Sequence, residues 1–98
     1  MTVQKDSEGS EKKHLHKFVD LRNKRVLEIG CGEGRLTWRY AETAKNVVGI
    51  DPDRNSLRVA SYDRPSDLEG TVHFANAQAE HVPFRKETFD IALLAWSL

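Results

Sequence analysis

The chain predicts an α/β fold built on a doubly wound parallel sheet, and three observations carry that prediction. Short apolar, β-branched segments alternate with helical stretches of about 10–12 residues, the pattern of parallel sheets with crossover helices. The first such segment runs straight into glycines at alternate positions, Gly30-Cys31-Gly32-Glu33-Gly34. The last, Ile91 to Trp96, is apolar at every position, which marks a central strand covered on both faces.

Residues 1–10 are polar and are expected to form a disordered tail; residues 11–98 are read as one domain. Within 11–22 a helix is expected, because Leu15, Phe18 and Val19 share a face at i, i+3 and i+4. Arg25 to Ile29 reads as the first strand. The glycine turn then opens a helix over 35–44, with Leu36, Tyr40 and Ala44 on one stripe. Asn46 to Ile50 is the second strand. Pro52 to Asp63 is the next helix, Pro52 suiting its first position. Arg64-Pro65 and Gly70 punctuate the connection to a third strand over 71–75. Residues 76–88 form a loop broken by Pro83, and 89–97 form the fourth strand.

Composition narrows the function classes. With 98 residues the chain holds one domain. Lys+Arg and Asp+Glu number 15 each, so the formal net charge is zero. That balance lacks the basic footprint of a nucleic-acid binder or a polybasic membrane patch. No apolar run approaches a membrane span, so neither nucleic acid nor membrane is an expected partner. The single cysteine cannot close an internal disulfide, which fits a reducing, cytoplasmic setting. No Cys/His cluster has metal-site spacing, and His14 and His16 point apart on a helix.

The chemistry gathers at one edge of the predicted sheet. Glycine in a strand-to-helix turn lets the backbone approach a ligand closely. Asp51 ends the second strand, 21 positions after Gly30. In doubly wound folds an acid there accepts hydrogen bonds from ribose hydroxyls. Its alternative work is as the N-cap of the following helix, with Pro52 in the first turn. Glu28 belongs to the same edge; alternatively it holds the turn by accepting from backbone N–H groups. The spacing differs from the G-x-G-x-x-G of dinucleotide folds.

The stretch Glu28-Ile29-Gly30-Cys31-Gly32-Glu33-Gly34 resembles motif I, E/D-x-G-x-G-x-G, of class I S-adenosylmethionine-dependent methyltransferases. Val47-Val48-Gly49-Ile50-Asp51 looks like that family's second strand and ribose acid. Ala77-Gln78-Ala79-Glu80-His81-Val82-Pro83-Phe84 is similar to its adenine loop, G-D-A-E-x-L-P-F, and Phe89-Asp90-Ile91 to the start of its fourth strand. The four motifs cover roughly residues 20–98. They match best the methyltransferase type 11 group, related to ubiquinone and menaquinone biosynthesis enzymes. The resemblance implies a Rossmann-like fold and S-adenosyl-L-methionine as cofactor. It implies a cofactor-binding set of Glu28, Gly30, Cys31, Gly32, Gly34, Asp51, Pro52, Gln78 and Ala79. Gln78 stands where the family has an aspartate; its amide oxygen can accept from an adenine amino group, without charge. Cys31 is a small turn residue rather than a nucleophile, since no base accompanies it. Arg35 either pairs with the methionine carboxylate or faces water, and Asp90 is structural. Trp96 and Ser97 fall on the ligand side of the last strand, where they could approach the transferred methyl or the acceptor; the other reading of Trp96, and the favoured one, is core packing.

The family's sheet has seven strands, and four are legible here, so the chain reads as the truncated cofactor-binding half. An apolar last strand left at an edge is a template for pairing. The expectation is therefore self-association through that strand, or its completion by further C-terminal residues. The alternative is a small complete domain. The expected activity is methyl transfer to a small-molecule acceptor, with no catalytic residue assigned. Two other classes stand beside it: a non-catalytic S-adenosylmethionine-binding or assembly subunit, and a nucleotide-dependent oxidoreductase.

Overall fold

The computed structural model describes residues 2–6, 20–81 and 88–95. Five parallel strands form one sheet: β1 (Thr2–Asp6), β2 (Arg25–Ile29), β3 (Asn46–Asp51), β4 (Val72–Asn76) and β5 (Ile91–Ala95), in the spatial order β1-β5-β2-β3-β4. The four predicted strands appear where expected, to within a residue or two. The chain order reverses at β2, whose neighbours are β3 and β5. This is a topological switch point, beside which doubly wound sheets open a ligand crevice.

β1 corrects the expectation of a wholly disordered tail over 1–10. Thr2–Asp6 pairs in parallel with β5, from Thr2 opposite Ile91 to Asp6 opposite Ala95. The pairing uses backbone groups, which every residue of the segment carries whatever its side chain. It also removes the ground for self-association, because the outer edge of β5 is occupied by the chain's own strand. The helix expected over 11–22 lies largely outside the described residues, as do Trp96 and Ser97.

Period-2 alternation sorts the strands into two cores. On one face Val26, Val47, Val72, Ile91 and Leu93 pack with Leu36, Tyr40 and Leu68. On the other, Leu27, Ile50 and Ala92 pack with Phe89. Of the helical elements, α1 (Thr37–Tyr40) follows the glycine turn and α2 (Arg54–Asp63) follows β3. α1 is shorter than the predicted 35–44. Around it the backbone mixes i→i−4 bonds, such as Trp38 N–H to Gly34 carbonyl, with i→i−3 bonds, such as Arg39 N–H to Leu36 carbonyl; tight turns thus replace regular helix at both ends.

The amino ends of two strands are stitched by one ion pair. Arg25 Nη2 lies 2.9 Å from Asp90 Oδ1 and its Nε 3.1 Å from Oδ2, while Arg25 N–H donates to the same Oδ2. The guanidinium holds the Asp90 carboxyl well below the usual carboxylate range. Asp90 is structural, as its position at the strand start suggested.

Candidate cofactor site

Gly30, Gly32 and Gly34 all have positive φ, at 77°, 55° and 87°. L side chains rarely adopt that conformation, so the alternate-glycine spacing is a backbone requirement. Space is short as well. A Cβ on Gly30 would lie 2.7 Å from the Ala95 carbonyl oxygen, and one on Gly34 2.9 Å from the Trp38 indole. The turn is bolted to β3: Gly30 and Cys31 N–H groups both donate to the Ile50 carbonyl.

Asp51 completes that attachment. Its Oδ2 accepts from Gly32 N–H at 2.9 Å and its Oδ1 from Asp53 N–H at 2.8 Å. It is not the cap of α2. That work falls to Asp53, whose carboxylate accepts from Asn55 and Ser56 N–H groups. Asp51 is thereby left as a carboxylate 9% exposed at the strand end, with acceptor capacity beyond its two backbone donors. Pro52 follows it and is exposed. At the next strand end Asn76 Nδ2 donates to the Asp51 carbonyl at 2.9 Å, and Ala77 N–H donates to the same oxygen. Gln78 and Ala79 follow, both exposed, the latter opening a 3₁₀ turn over Ala79–His81. Three strand ends therefore meet: the glycine turn, Asp51-Pro52 and Gln78-Ala79.

Glu28 lies apart from this set. It is fully buried, and its Oε1 accepts from Thr37 Oγ1 at 2.9 Å and from Tyr40 Oη at 2.5 Å. Its partners are side-chain hydroxyls of α1, not backbone N–H groups. Burial pushes its pKa up to about 7, against the lowering effect of the two hydroxyls. Oε2 is buried without a partner among the described residues. Tyr40 was legible as apolar-stripe packing, yet a buried phenol needs a hydrogen-bond partner. That need, with Thr37 three residues earlier, is the signal that could have found the cluster. Asn76 was read only as loop; nothing in its local sequence reveals a cross-strand bond.

Cys31 is buried, and burial followed by the nearby Glu28 and Asp51 charges raises its thiol pKa far above normal. A thiol so held is protonated and inert, as a passive turn residue should be. Its sulfur fills the space above Gly49, where a Cβ would sit 2.8 Å from it.

The residues present fit an adenosine-bearing cofactor. The glycine cradle has no room for a Cβ at Gly30 or Gly34, and Asp51 is an anchored acceptor at the switch point. A family model described as a methyltransferase domain matches residues 26–98. Among curated relatives, a ubiquinone biosynthesis O-methyltransferase of Rhizobium etli is 39% identical over 70 residues, covering 70% of this chain and 27% of its own. Among solved structures, phosphoethanolamine N-methyltransferase 1 of Haemonchus contortus, in complex with phosphoethanolamine and S-adenosylhomocysteine, superposes with a TM-score of 0.77 at 27% identity. That match covers 92% of this chain and 19% of the other. The cyclase SpnF superposes with a TM-score of 0.72 at 25% identity, over 84% of this chain and 31% of its own. The chain spans between 20% and 35% of the length of the curated relatives it matches. On the family match over most of its length, backed by these likenesses, the chain belongs to the methyltransferase-domain family.

Proposed function

We propose that this chain binds S-adenosyl-L-methionine through its glycine turn, Asp51-Pro52 and Gln78-Ala79, and supplies the cofactor-binding part of a methyl transfer to a small-molecule acceptor. The observation that carries the reading is the Asp51 carboxylate. It is fixed by Gly32 and Asp53 N–H groups and keeps acceptor capacity for a ribose diol. When bound, the cofactor supplies a methyl group on a positively charged sulfur, so the protein's contribution is positioning and exclusion of water. Gly30, Gly32 and Gly34 let the backbone close on the ligand. Gln78 offers an amide oxygen to an adenine amino group, and Ala79 a backbone N–H to its ring. Glu28 stands behind the turn and holds α1 against it. One buried thiol and no long apolar helix among the described residues fit work in the cytoplasm.

Fold alone does not carry the activity, since one close structural neighbour is named a cyclase. Binding without transfer is the competing reading. Calorimetric titration with S-adenosylhomocysteine and with NAD tests the cofactor: binding of the first and not the second is expected, and the reverse overturns the proposal. A radiolabelled methyl-transfer assay with a quinol acceptor, on a protein spanning the relatives' full length, separates an enzyme from a binding subunit.

A further inference from the structure

A groove of about 450 Å³ runs between α2 and β4, lined by Arg54, Leu57, Arg58, Ser61, Phe74 and Asn76. The α2 residues fall at i, i+3, i+4 and i+7, one helix face. Phe74 and Asn76 are two apart on β4 and so share a sheet face. Leu57 is buried and Phe74 half-buried, which gives the groove apolar contact area; Phe74 also meets Trp38 in a T-shaped ring contact, centroids 5.8 Å apart. Its polar lining is cationic. Arg54 and Arg58 form a like-charge pair at i,i+4, which is unfavourable on a helix without a counter-charge. Neither guanidinium makes an ion pair among the described residues. Arg54 Nε donates to Asn76 Oδ1 at 3.2 Å, a neutral contact that uses neither of its terminal nitrogens, which have no partner among the described residues.

Two guanidinium groups lining one groove match a doubly charged phosphate better than a carboxylate, because phosphate presents more charge and three acceptor oxygens. The volume suits a small molecule. We propose that this groove is a second ligand site, specific for a phosphate monoester with a compact apolar body. Arg54 and Arg58 clasp the phosphate, Ser61 adds a hydroxyl donor, and the apolar body lies on Leu57 and Phe74. The site is joined to the cofactor end through Asn76, which bonds Arg54 with its oxygen and the Asp51 carbonyl with its nitrogen. It stands whether or not the methyl-transfer reading does.

The test is an amide-resolved NMR titration of the 98-residue chain with phenyl phosphate, inorganic phosphate and phenol. Phenyl phosphate is expected to shift the amides of 54–61 and 74–76 saturably, with the two fragments binding at least about tenfold more weakly. Arg58→Gln, at an exposed helix position, should weaken phenyl phosphate about tenfold, the size of one lost charge-assisted contact. Arg54→Gln should weaken it likewise. Unsaturable shifts, shifts confined to the glycine turn, or an unchanged affinity in Arg58→Gln would each overturn the site. Equal affinity for inorganic phosphate would overturn the need for an apolar body.

Discussion

The rim of the glycine turn and its underside each hold one carboxylate, and the two have opposite surroundings. At the rim, Asp51 is bound by backbone N–H groups from the turn and from the start of α2. Those two donors hold the acid in place as a fixed acceptor. On the underside, Glu28 is fully buried, and burial outweighs its two hydroxyl donors, so its pKa rises to about 7. Two acids framing one loop therefore do different work. The rim acid ties the turn to the start of α2, and the underside acid joins α1 to β2 at a cost that depends on pH. Burial and donor type make the difference, not residue chemistry.

The largest effect expected is from the turn that separates them. Gly30→Ala should destabilise the fold by about 3 kcal/mol or more, because a positive φ and a backbone oxygen 2.7 Å from the new Cβ act together. A melt within a few degrees of the parent would break the claim that backbone geometry fixes the turn.

Next comes the underside. The Glu28 carboxyl binds a proton in the folded state up to about pH 7 but in the unfolded chain only up to its ordinary value of 4.5. Between those values the folded state holds more protons, so stability falls as pH rises through the window. The loss is on the order of 3 kcal/mol. Urea melts from pH 5 to pH 8 should show that decline, and Glu28→Gln should flatten it. A parallel decline in the variant would remove Glu28 as its source.

At the rim, Asp51→Ala should weaken S-adenosylhomocysteine binding by tenfold or more, with loss of about 1.5–3 kcal/mol of charge-assisted hydrogen bonding. Unchanged affinity by calorimetry takes Asp51 out of the site. Asp53→Ala sharpens the contrast, because the Asp53 carboxylate caps α2 and makes no bond to the glycine turn. It should cost about 1 kcal/mol of stability and leave cofactor affinity within twofold.

Much of this was legible beforehand. The four strands that build the switch point, the glycine turn and the acid at the end of β3 were all readable, because period-2 hydrophobicity and glycine spacing are local signals. Other features were not. The capping of α2 by Asp53 rather than Asp51 depended on where β3 stopped, which local pattern does not settle when Asp51-Pro52-Asp53 offers two caps in a row. Glu28 was placed at the ligand edge because its position in the motif suggests it, whereas only its packing against Thr37 and Tyr40 turns it inward. The strand Thr2–Asp6 was read as tail because polar residues give no burial signal, yet an edge strand needs backbone partners more than apolar side chains.

By itself the sequence determined that this is a parallel α/β sheet with a tight glycine turn at its switch point, since hydrophobic period and the absence of Cβ atoms act over a few residues. Only the tertiary structure decided which carboxylate binds backbone N–H groups and which is sealed among side-chain hydroxyls. It also decided that Asn76 bonds the Asp51 strand end, and that two arginines of α2 meet Phe74 in one groove. Those outcomes depend on residues from 9 to 25 positions apart being brought together. No local pattern of charge or hydrophobicity encodes which of them will touch.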